Sequence, residues 1–222
     1  MERFTLDADN ASEIASKATD VLKNGGVILY PTDTLYGLGA DALSDKAVAK
    51  IVAIKGRDEG KPMHAIVADL DMAAEYAEIS NDARLLIKEF GGSVTLILKK
   101  KKGMDSGIAK NIETFGIRIP NHPLCIEMCR AFGKPITATS ANVAGMRSER
   151  SVDAILAQLR ESSYASVLQK TSIENINLVI DAGTLEERQP STVVDLAHEE
   201  PIIIREGAVP AADIWEILSA EM

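Results

Sequence analysis

The sequence predicts an α/β (α+β) protein whose strands form a mixed sheet. Segments with the apolar stripe of a surface helix, such as "DKAVAKIVAIK", alternate with short, nearly continuous apolar runs such as "HAIVA". Near the C-terminus, three strand-like runs, "NLVIDAG", "STVVDL" and "IIIRE", follow one another without a helix between them. Parallel strands need long crossover connections, and antiparallel strands do not. We therefore expect antiparallel pairing among the last three strands and a mixed sheet overall.

The predicted helices carry recognisable start and stop signals. Asn10 is expected to cap the first helix and Gly25 to end it in the left-handed conformation, while Ser44 is expected to cap the second helix. In chain order, the predicted helices are "ASEIASKATDVLKNGG", "DKAVAKIVAIK", "NDARLLIKEF", "PLCIEMCRAF", "VDAILAQL" and "AADIWEIL". The predicted strands that precede the three C-terminal ones are "VILY", "HAIVA", "SVTLIL", "GIRIP" and "ITATS".

Composition and patterning indicate a single folded domain. The chain has 222 residues, of which 46% are hydrophobic, and this is enough to build a sizeable core. No repeat, low-complexity tract or Pro/Ser-rich linker divides the sequence. We expect one domain over residues 1–222, with the weakly periodic segment "LRESSYASVLQKTSIENIN" as an excursion over the sheet.

Charge and apolar patterning argue against broad nucleic-acid or membrane binding. Asp and Glu number 33 against 24 Lys and Arg, so the net charge is −9 and any anion site must be local. No run reaches the roughly 18 apolar residues of a membrane span, and the N-terminus lacks a signal-peptide pattern. The two cysteines, Cys125 and Cys129, are spaced for one helix face and lack further convincing metal ligands. We expect a soluble cytoplasmic protein without a metal site of its own.

The segment "GGVILYPTDTLYGLGADA" runs from an apolar strand into a polar loop with spaced glycines. Gly37, Gly39 and Ala42 match the dinucleotide-binding pattern G-x-G-x-x-A. That pattern requires a strand, a tight glycine turn and a helix in direct succession. Polar residues intervene here, and the next helix starts only after Ser44, so we do not expect a dinucleotide site.

Thr32, Thr34 and Tyr36 present three hydroxyls at alternating positions of the same segment. In an extended chain, alternating side chains point to one side, so these hydroxyls are expected to line a small-molecule pocket. The glycines would then let the backbone pass close to a ligand. A plain turn after the strand is the alternative, because Pro, Asp and Gly are common turn residues.

Cationic and small polar side chains recur at the ends of predicted elements. Lys55 and Arg57 either converge on a polyphosphate or complement the negative end of the preceding helix. Arg118 lies inside an apolar strand, so a partner anion is expected from a side chain or from a ligand carboxylate. Arg205 ends another apolar strand. Small polar residues that can bind a phosphate or ribose, or can simply form turns, are Thr137, Thr139, Ser140, Asn142, Ser191 and Thr192.

Six segments that span nearly the whole chain resemble, in the same order, the YrdC-like family of threonylcarbamoyl-adenylate synthases. They are "GGVILYPTDTLYGLGADA", "KGRDEGKP", "FGIRIPNHP", "TATSAN", "PSTVVDL" and "IIREGAV". The resemblance implies an open, twisted mixed sheet with flanking helices and a large concave cavity. It also implies a nucleotidyltransferase that joins L-threonine, bicarbonate or carbon dioxide, and ATP to give threonylcarbamoyl-AMP and pyrophosphate. Some family members carry a further C-terminal domain, and this chain resembles the catalytic domain alone.

By the same resemblance, the site residues fall into two groups. The expected threonine-binding residues are Thr34, His64, Arg118 and Ser191. The expected ATP-binding residues are Lys55, Arg57, Lys61, Ser140, Asn142, Ser148 and Arg205, and Lys55 and Arg57 are also the expected catalytic cations. A threonine carbamate that attacks the α-phosphate needs positioning and cationic stabilisation rather than a protein nucleophile. Mg²⁺ is expected to be carried by the ATP phosphates.

The resemblance also implies partners and leaves alternatives open. The adenylate would pass to a threonylcarbamoyl transferase complex that forms N6-threonylcarbamoyladenosine (t6A) in tRNA. The Lys55-x-Arg57 and Ser140-x-Asn142 pairs favour the synthase branch over a paralogous branch of unclear activity. A non-catalytic RNA-binding module is a further alternative, because Lys55, Arg57, Lys61 and Arg118 could form a local basic wall.

Overall fold

The computed structural model describes residues 1–56, 63–165 and 173–219. Its helices are α1 (Ala11–Lys23), α2 (Asp45–Lys55), α3 (Leu70–Tyr76), α4 (Asn81–Phe90), α5 (Pro123–Phe132), α6 (Val152–Ala165) and α7 (Ala211–Ser219). Its strands are β1 (Glu2–Thr5), β2 (Val27–Pro31), β3 (Tyr36–Gly39), β4 (His64–Ile66), β5 (Val94–Lys99), β6 (Thr114–Arg118), β7 (Ile136–Ser140), β8 (Ile176–Asp181), β9 (Thr192–Asp195) and β10 (Ile202–Arg205). Arg57, Lys61 and part of the expected excursion (166–172) lie outside the described residues. Within the described ranges, no helix is long and apolar enough to cross a membrane.

The strands form one mixed sheet in the order β1-β8-β2-β3-β7-β4-β6-β5-β9-β10, which confirms the predicted class. The pairing of β9 with β10 is antiparallel, as predicted for the C-terminal strands. The same prediction is wrong for β8, which lies between β1 and β2 and runs parallel to both. Most of β8 is buried, so its backbone groups need a strand on each edge, and β1 and β2 satisfy them far from β9.

Strand β2 shows how the sheet divides the core into two layers. All of its residues are buried. Val27 and Leu29 pack in a cluster with α2, α4 and α6, whereas Ile28 and Tyr30 pack in a second cluster with α1 and α5. Because alternate residues of a strand point to opposite faces, a strand covered on both faces must be apolar throughout. This explains the continuous apolar run "VILY".

Two of the three predicted helix signals are confirmed. The Ser44 hydroxyl accepts a hydrogen bond from the Ala47 backbone N–H at 3.3 Å, and Gly25 has a φ of +70° just after α1. The prediction that Asn10 caps α1 through its side chain is wrong. Its Oδ1 accepts from the backbone N–H of Asp7 at 3.0 Å, so the amide is engaged in the turn that precedes the helix. This local turn competes with the cap for the same acceptor.

The segment "YGLG" is a strand, not the glycine-spaced loop that the sequence indicated. It pairs antiparallel with β2 in a hairpin that sets Tyr30 opposite Gly37. A Cβ atom added at Gly37 would lie 3.2 Å from Tyr30 Cε1, and one added at Gly39 would lie 2.8 Å from the same atom. The glycines therefore make room for the buried Tyr30 ring, a role that the sequence did not indicate.

Candidate functional site

A polar cavity of about 400 Å³ opens where β3, β4, β6 and β7 meet the segment before β9 and the end of β10. It collects residues from widely separated parts of the sequence. The sequence-predicted site residues that line it are Thr34, His64, Arg118, Ser140, Ser148, Ser191 and Arg205. Strand pairing brings these residues together, because β4 lies between β7 and β6 in the sheet.

The turn between β2 and β3 arranges its hydroxyls differently from the sequence expectation. Thr32 Oγ1 accepts hydrogen bonds from the backbone N–H groups of Thr34 and Leu35, at 3.1 and 3.2 Å. It also lies 3.1 Å from Thr34 Oγ1. The Thr32 hydroxyl therefore stabilises the turn, as Thr commonly does, and the alternation of an extended chain is lost there.

The Tyr36 hydroxyl bonds to the end of β8. It donates to the Gly183 carbonyl and accepts from the Ala182 N–H, each at 2.8 Å. Burial raises the pKa of Tyr36 to about 12. Thr32, Thr34 and Tyr36 all border the cavity, as expected. The Tyr36 hydroxyl itself is bonded to the end of a strand that is distant in sequence.

Arg118 is the buried cation that the sequence singled out, and its partner is a side chain. Its Nη2 donates to Asp33 Oδ1 at 2.8 Å, and its Nε donates to the Gly92 carbonyl at 2.9 Å. The second oxygen of Asp33, Oδ2, accepts from the backbone N–H of Asn121 at 3.1 Å. Sequence reasoning missed Asp33, because an Asp that follows Pro31 and Thr32 at the end of a strand is an ordinary turn residue. The one signal was the expected anion for Arg118.

A second guanidinium lies close to the first. Arg205 Nη2 donates to the Ser191 carbonyl at 2.8 Å, and the Ser191 hydroxyl lies 2.7 Å from the Thr95 hydroxyl. Burial lowers the pKa of Arg205, and the positive charge of Arg118 lowers it further. With two cations and one nearby carboxylate, this end of the cavity favours an anionic ligand.

Lys55 joins α2 to the loop that follows β7. The residue is 3% exposed, and its ammonium donates to the backbone carbonyls of Ser140 and Asn142, the latter at 2.8 Å. Asn142 Nδ2 in turn donates to the carbonyls of Val143 and Met146, at 2.8 and 2.7 Å. The Ser140 hydroxyl donates to Asn142 Oδ1. The predicted cluster of Lys55, Ser140 and Asn142 therefore exists, and Ser140 borders the cavity.

His64 and the cysteines have separate environments. His64 is half-buried and packs over Gly116 of β6, where an added Cβ would lie 2.5 Å from its Cδ2. Cys125 and Cys129 lie on the buried face of α5, and burial raises the pKa of both thiols. Within the described part of the chain, no group of three or more His, Cys, Asp or Glu side chains could hold a metal ion.

A larger cavity of about 880 Å³ adjoins the first. Asp33 and Thr34 contribute to its wall, together with Lys88, Arg188 and Glu206. Thr34 borders both cavities, whereas Arg118 lines the smaller one and Asp33 lines the larger one. The Asp33–Arg118 ion pair therefore forms part of the partition between them.

Comparison with known proteins gives a consistent family. A model of the Sua5/YciO/YrdC family, described as "telomere recombination", matches residues 20–207. A protein of Methanocaldococcus jannaschii named "Putative threonylcarbamoyl-AMP synthase" is 34% identical over 208 residues, which are 93% of this chain and 92% of that protein. The threonylcarbamoyl-AMP synthase of Pyrococcus abyssi is 30% identical over 203 residues, which are 90% of this chain and 56% of that one.

A solved structure supports the fold match. The crystal structure of P. abyssi Sua5 complexed with L-threonine superimposes with a TM-score of 0.83 at 27% sequence identity. The match covers 98% of this chain and 60% of that chain. The architecture of this chain is therefore that of one part of a longer protein in P. abyssi and of nearly the whole relative in M. jannaschii.

Proposed function

This chain belongs to the Sua5/YciO/YrdC family, and we propose that it is a threonylcarbamoyl-AMP synthase. It joins L-threonine, bicarbonate or carbon dioxide, and ATP, and it releases pyrophosphate and the adenylate that supplies t6A formation in tRNA. The observation that carries the proposal is the polar cavity whose wall includes two arginines, Arg118 and Arg205, together with Ser140 and Ser148. Such a cavity suits two anionic substrates that must meet.

The threonine end is formed by Arg118, Thr34, His64 and Ser191. Arg118 has five N–H donors, and Gly92 and Asp33 use two of them. The remaining donors of the planar guanidinium bind the threonine carboxylate. Thr34 and Ser191 both line the cavity, and their hydroxyls bind polar groups of the amino acid.

The ATP end is formed by Arg205, Ser140, Asn142 and Ser148, with Arg57 and Lys61 as further proposed cations. Lys55 holds the loop of Ser140 and Asn142 and adds a positive charge beneath it. In the reaction, a carbamate oxygen forms a bond to the α-phosphorus while the bond to the bridging oxygen of the β-phosphate breaks and pyrophosphate leaves. Both partners are anions, so positioning and cationic stabilisation account for catalysis.

Mg²⁺ and the cellular partners belong to the same proposal. The described residues offer no carboxylate cluster for a metal, which fits an ion that keeps water and phosphate oxygens as ligands. Bound to the phosphates, Mg²⁺ would neutralise charge on the leaving pyrophosphate. The enzyme acts in the cytoplasm and passes the adenylate to a tRNA threonylcarbamoyl transferase.

Pyrophosphate release tests the proposal. The purified protein is incubated with ATP, Mg²⁺ and bicarbonate, with and without L-threonine, and release is expected to depend on threonine. Arg118→Ala should abolish that dependence, and Lys55→Ala should chiefly weaken the use of ATP. Arg130→Ala is the control, because Arg130 is exposed on α5 and pairs only loosely with Asp69 at 3.6 Å. Release equal to the threonine-free reaction would refute the proposal, and salt-sensitive RNA binding without turnover would favour the RNA-binding alternative.

A further inference from the structure

Asp33 is held more firmly than a turn residue requires. Both oxygens of its carboxylate are engaged, Oδ1 by Arg118 Nη2 at 2.8 Å and Oδ2 by the Asn121 backbone N–H at 3.1 Å. The side chains of Asp33 and Arg118 are 11% and 8% exposed. The carboxylate therefore joins the β2–β3 turn to the last residue of β6, 85 positions away, and to Asn121 beyond it.

The Arg118 guanidinium is fixed from two directions. Its Nε donates to the Gly92 carbonyl and its Nη2 donates to Asp33, so rotation about the last side-chain bonds would break a charge-assisted hydrogen bond. Asp33 lines the larger cavity and Arg118 lines the smaller one. The carboxylate thus lies behind the guanidinium as seen from the candidate site.

We propose that Asp33 is a positioning residue that orients Arg118 toward the carboxylate of the amino-acid substrate and so sets selectivity for an amino acid with a free carboxylate. This inference rests on the proposed function, because it names the substrate group that Arg118 recognises. Asp33 acts through Arg118. Because the ion pair fixes the guanidinium before the substrate binds, less side-chain entropy is lost when the substrate carboxylate binds to it.

An amide cannot replace the Asp33 carboxylate. The two donors, Arg118 Nη2 and the Asn121 N–H, need two acceptor oxygens, and an Asn side chain has one. In Asp33→Asn, the amide NH₂ would face one of these donors, and the arginine would lose either its partner or its orientation. The substitution changes few atoms, so it tests orientation with little change in volume.

Gly92 provides a second way to disturb the same contact. A Cβ added at Gly92 would lie 2.6 Å from Asp33 Oδ2 and 2.6 Å from the Asn121 backbone nitrogen. Gly92→Ala should therefore displace the carboxylate without removing its charge. If Asp33 positions Arg118, both substitutions should alter substrate selectivity in the same direction.

The test compares L-threonine with L-threoninamide, in which a neutral amide replaces the carboxylate. Binding of each compound is measured by calorimetry, and the KM values for threonine and ATP are measured by pyrophosphate release. In Asp33→Asn and Gly92→Ala, we expect the threonine KM to rise about tenfold or more and the preference for threonine over threoninamide to fall by a similar factor. The ATP KM should change by less than about twofold.

The matched control is Asp41→Asn. Asp41 has a side-chain exposure of 13% and pairs with Lys134 at 3.1 Å, away from both cavities. Its kinetics should match those of the unsubstituted protein, and circular dichroism should show that all variants are folded. A fall in kcat with both substrates affected equally would indicate a merely structural role for Asp33 and would overturn the inference.

A double substitution separates the two proposals. If Asp33 acts through Arg118, Asp33→Asn should add almost no loss of threonine binding to Arg118→Ala. Additive losses, or an unchanged preference for threonine in Asp33→Asn, would overturn the positioning role alone. Failure of the unsubstituted protein to bind threonine or to release pyrophosphate would overturn the proposed function and, with it, this inference.

Discussion

Replacing Tyr36 with phenylalanine should lower the stability of the protein and leave its use of threonine nearly unchanged. The hydroxyl makes two hydrogen bonds of 2.8 Å, to the Gly183 carbonyl and from the Ala182 N–H. Each neutral hydrogen bond contributes about 1 kcal/mol net, so the free energy of unfolding should fall by about 2 kcal/mol. In a protein of this size, that corresponds to a decrease of about 4–8 °C in Tm.

The measurement pairs urea unfolding, followed by circular dichroism, with the threonine KM from pyrophosphate release. Tyr76→Phe is the control, because Tyr76 is half-buried and its loss of a hydroxyl should cost less than about 0.5 kcal/mol. The result that would refute the reasoning is an unchanged free energy of unfolding together with a threonine KM raised about tenfold. That outcome would indicate that the Tyr36 hydroxyl contacts the ligand and does not stabilise the fold.

Three further predictions concern the neighbouring elements and the pH dependence of stability. Gly39→Ala should cost about 1–3 kcal/mol in urea unfolding, because its Cβ would lie 2.8 Å from the Tyr30 ring; equal stability would contradict that packing. Ser44→Ala should cost about 1 kcal/mol through loss of the α2 cap, with Ser16→Ala at an exposed position of α1 as the comparison. The folded-state pKa of Tyr36, about 12, lies above its unfolded value of 10, so its contribution is complete below pH 10 and is lost as pH rises toward 12. Between pH 10 and 12, the free energy of unfolding should therefore fall less in Tyr36→Phe than in the unsubstituted protein. Identical pH profiles of the free energy of unfolding would contradict this prediction.

Local patterns predicted most individual elements because they depend on neighbouring residues. The apolar stripe and terminal residues of α2, α4 and α5 define these helices, and their observed limits agree with the predicted ones. β1, β3 and α3 were not predicted, and shortness alone is not the reason, since β4 is shorter and was predicted. The glycines of β3 resemble turn residues until Tyr30 is seen to occupy the space above them.

The pairing of strands could not be read from the same patterns. β8 and β9 are consecutive strands, yet β8 pairs with β1 and β2, while β9 pairs with β5 and β10. Which neighbouring strand hydrogen-bonds to each edge of a buried strand depends on the arrangement of the whole sheet. The expectation of antiparallel pairing used only the lengths of the connections, so it succeeded for one pair and failed for β8.

The sequence by itself determined the class of fold, the family and the residue types that gather in the candidate site. It also determined that Arg118 needs an anionic partner, since a charge in an apolar strand is costly to bury unpaired. Only the tertiary structure decided that Asp33 is that partner and that the Tyr36 hydroxyl serves the end of β8. Both contacts join residues many positions apart, and local sequence carries no information about which distant polar groups the folded sheet brings within hydrogen-bonding distance.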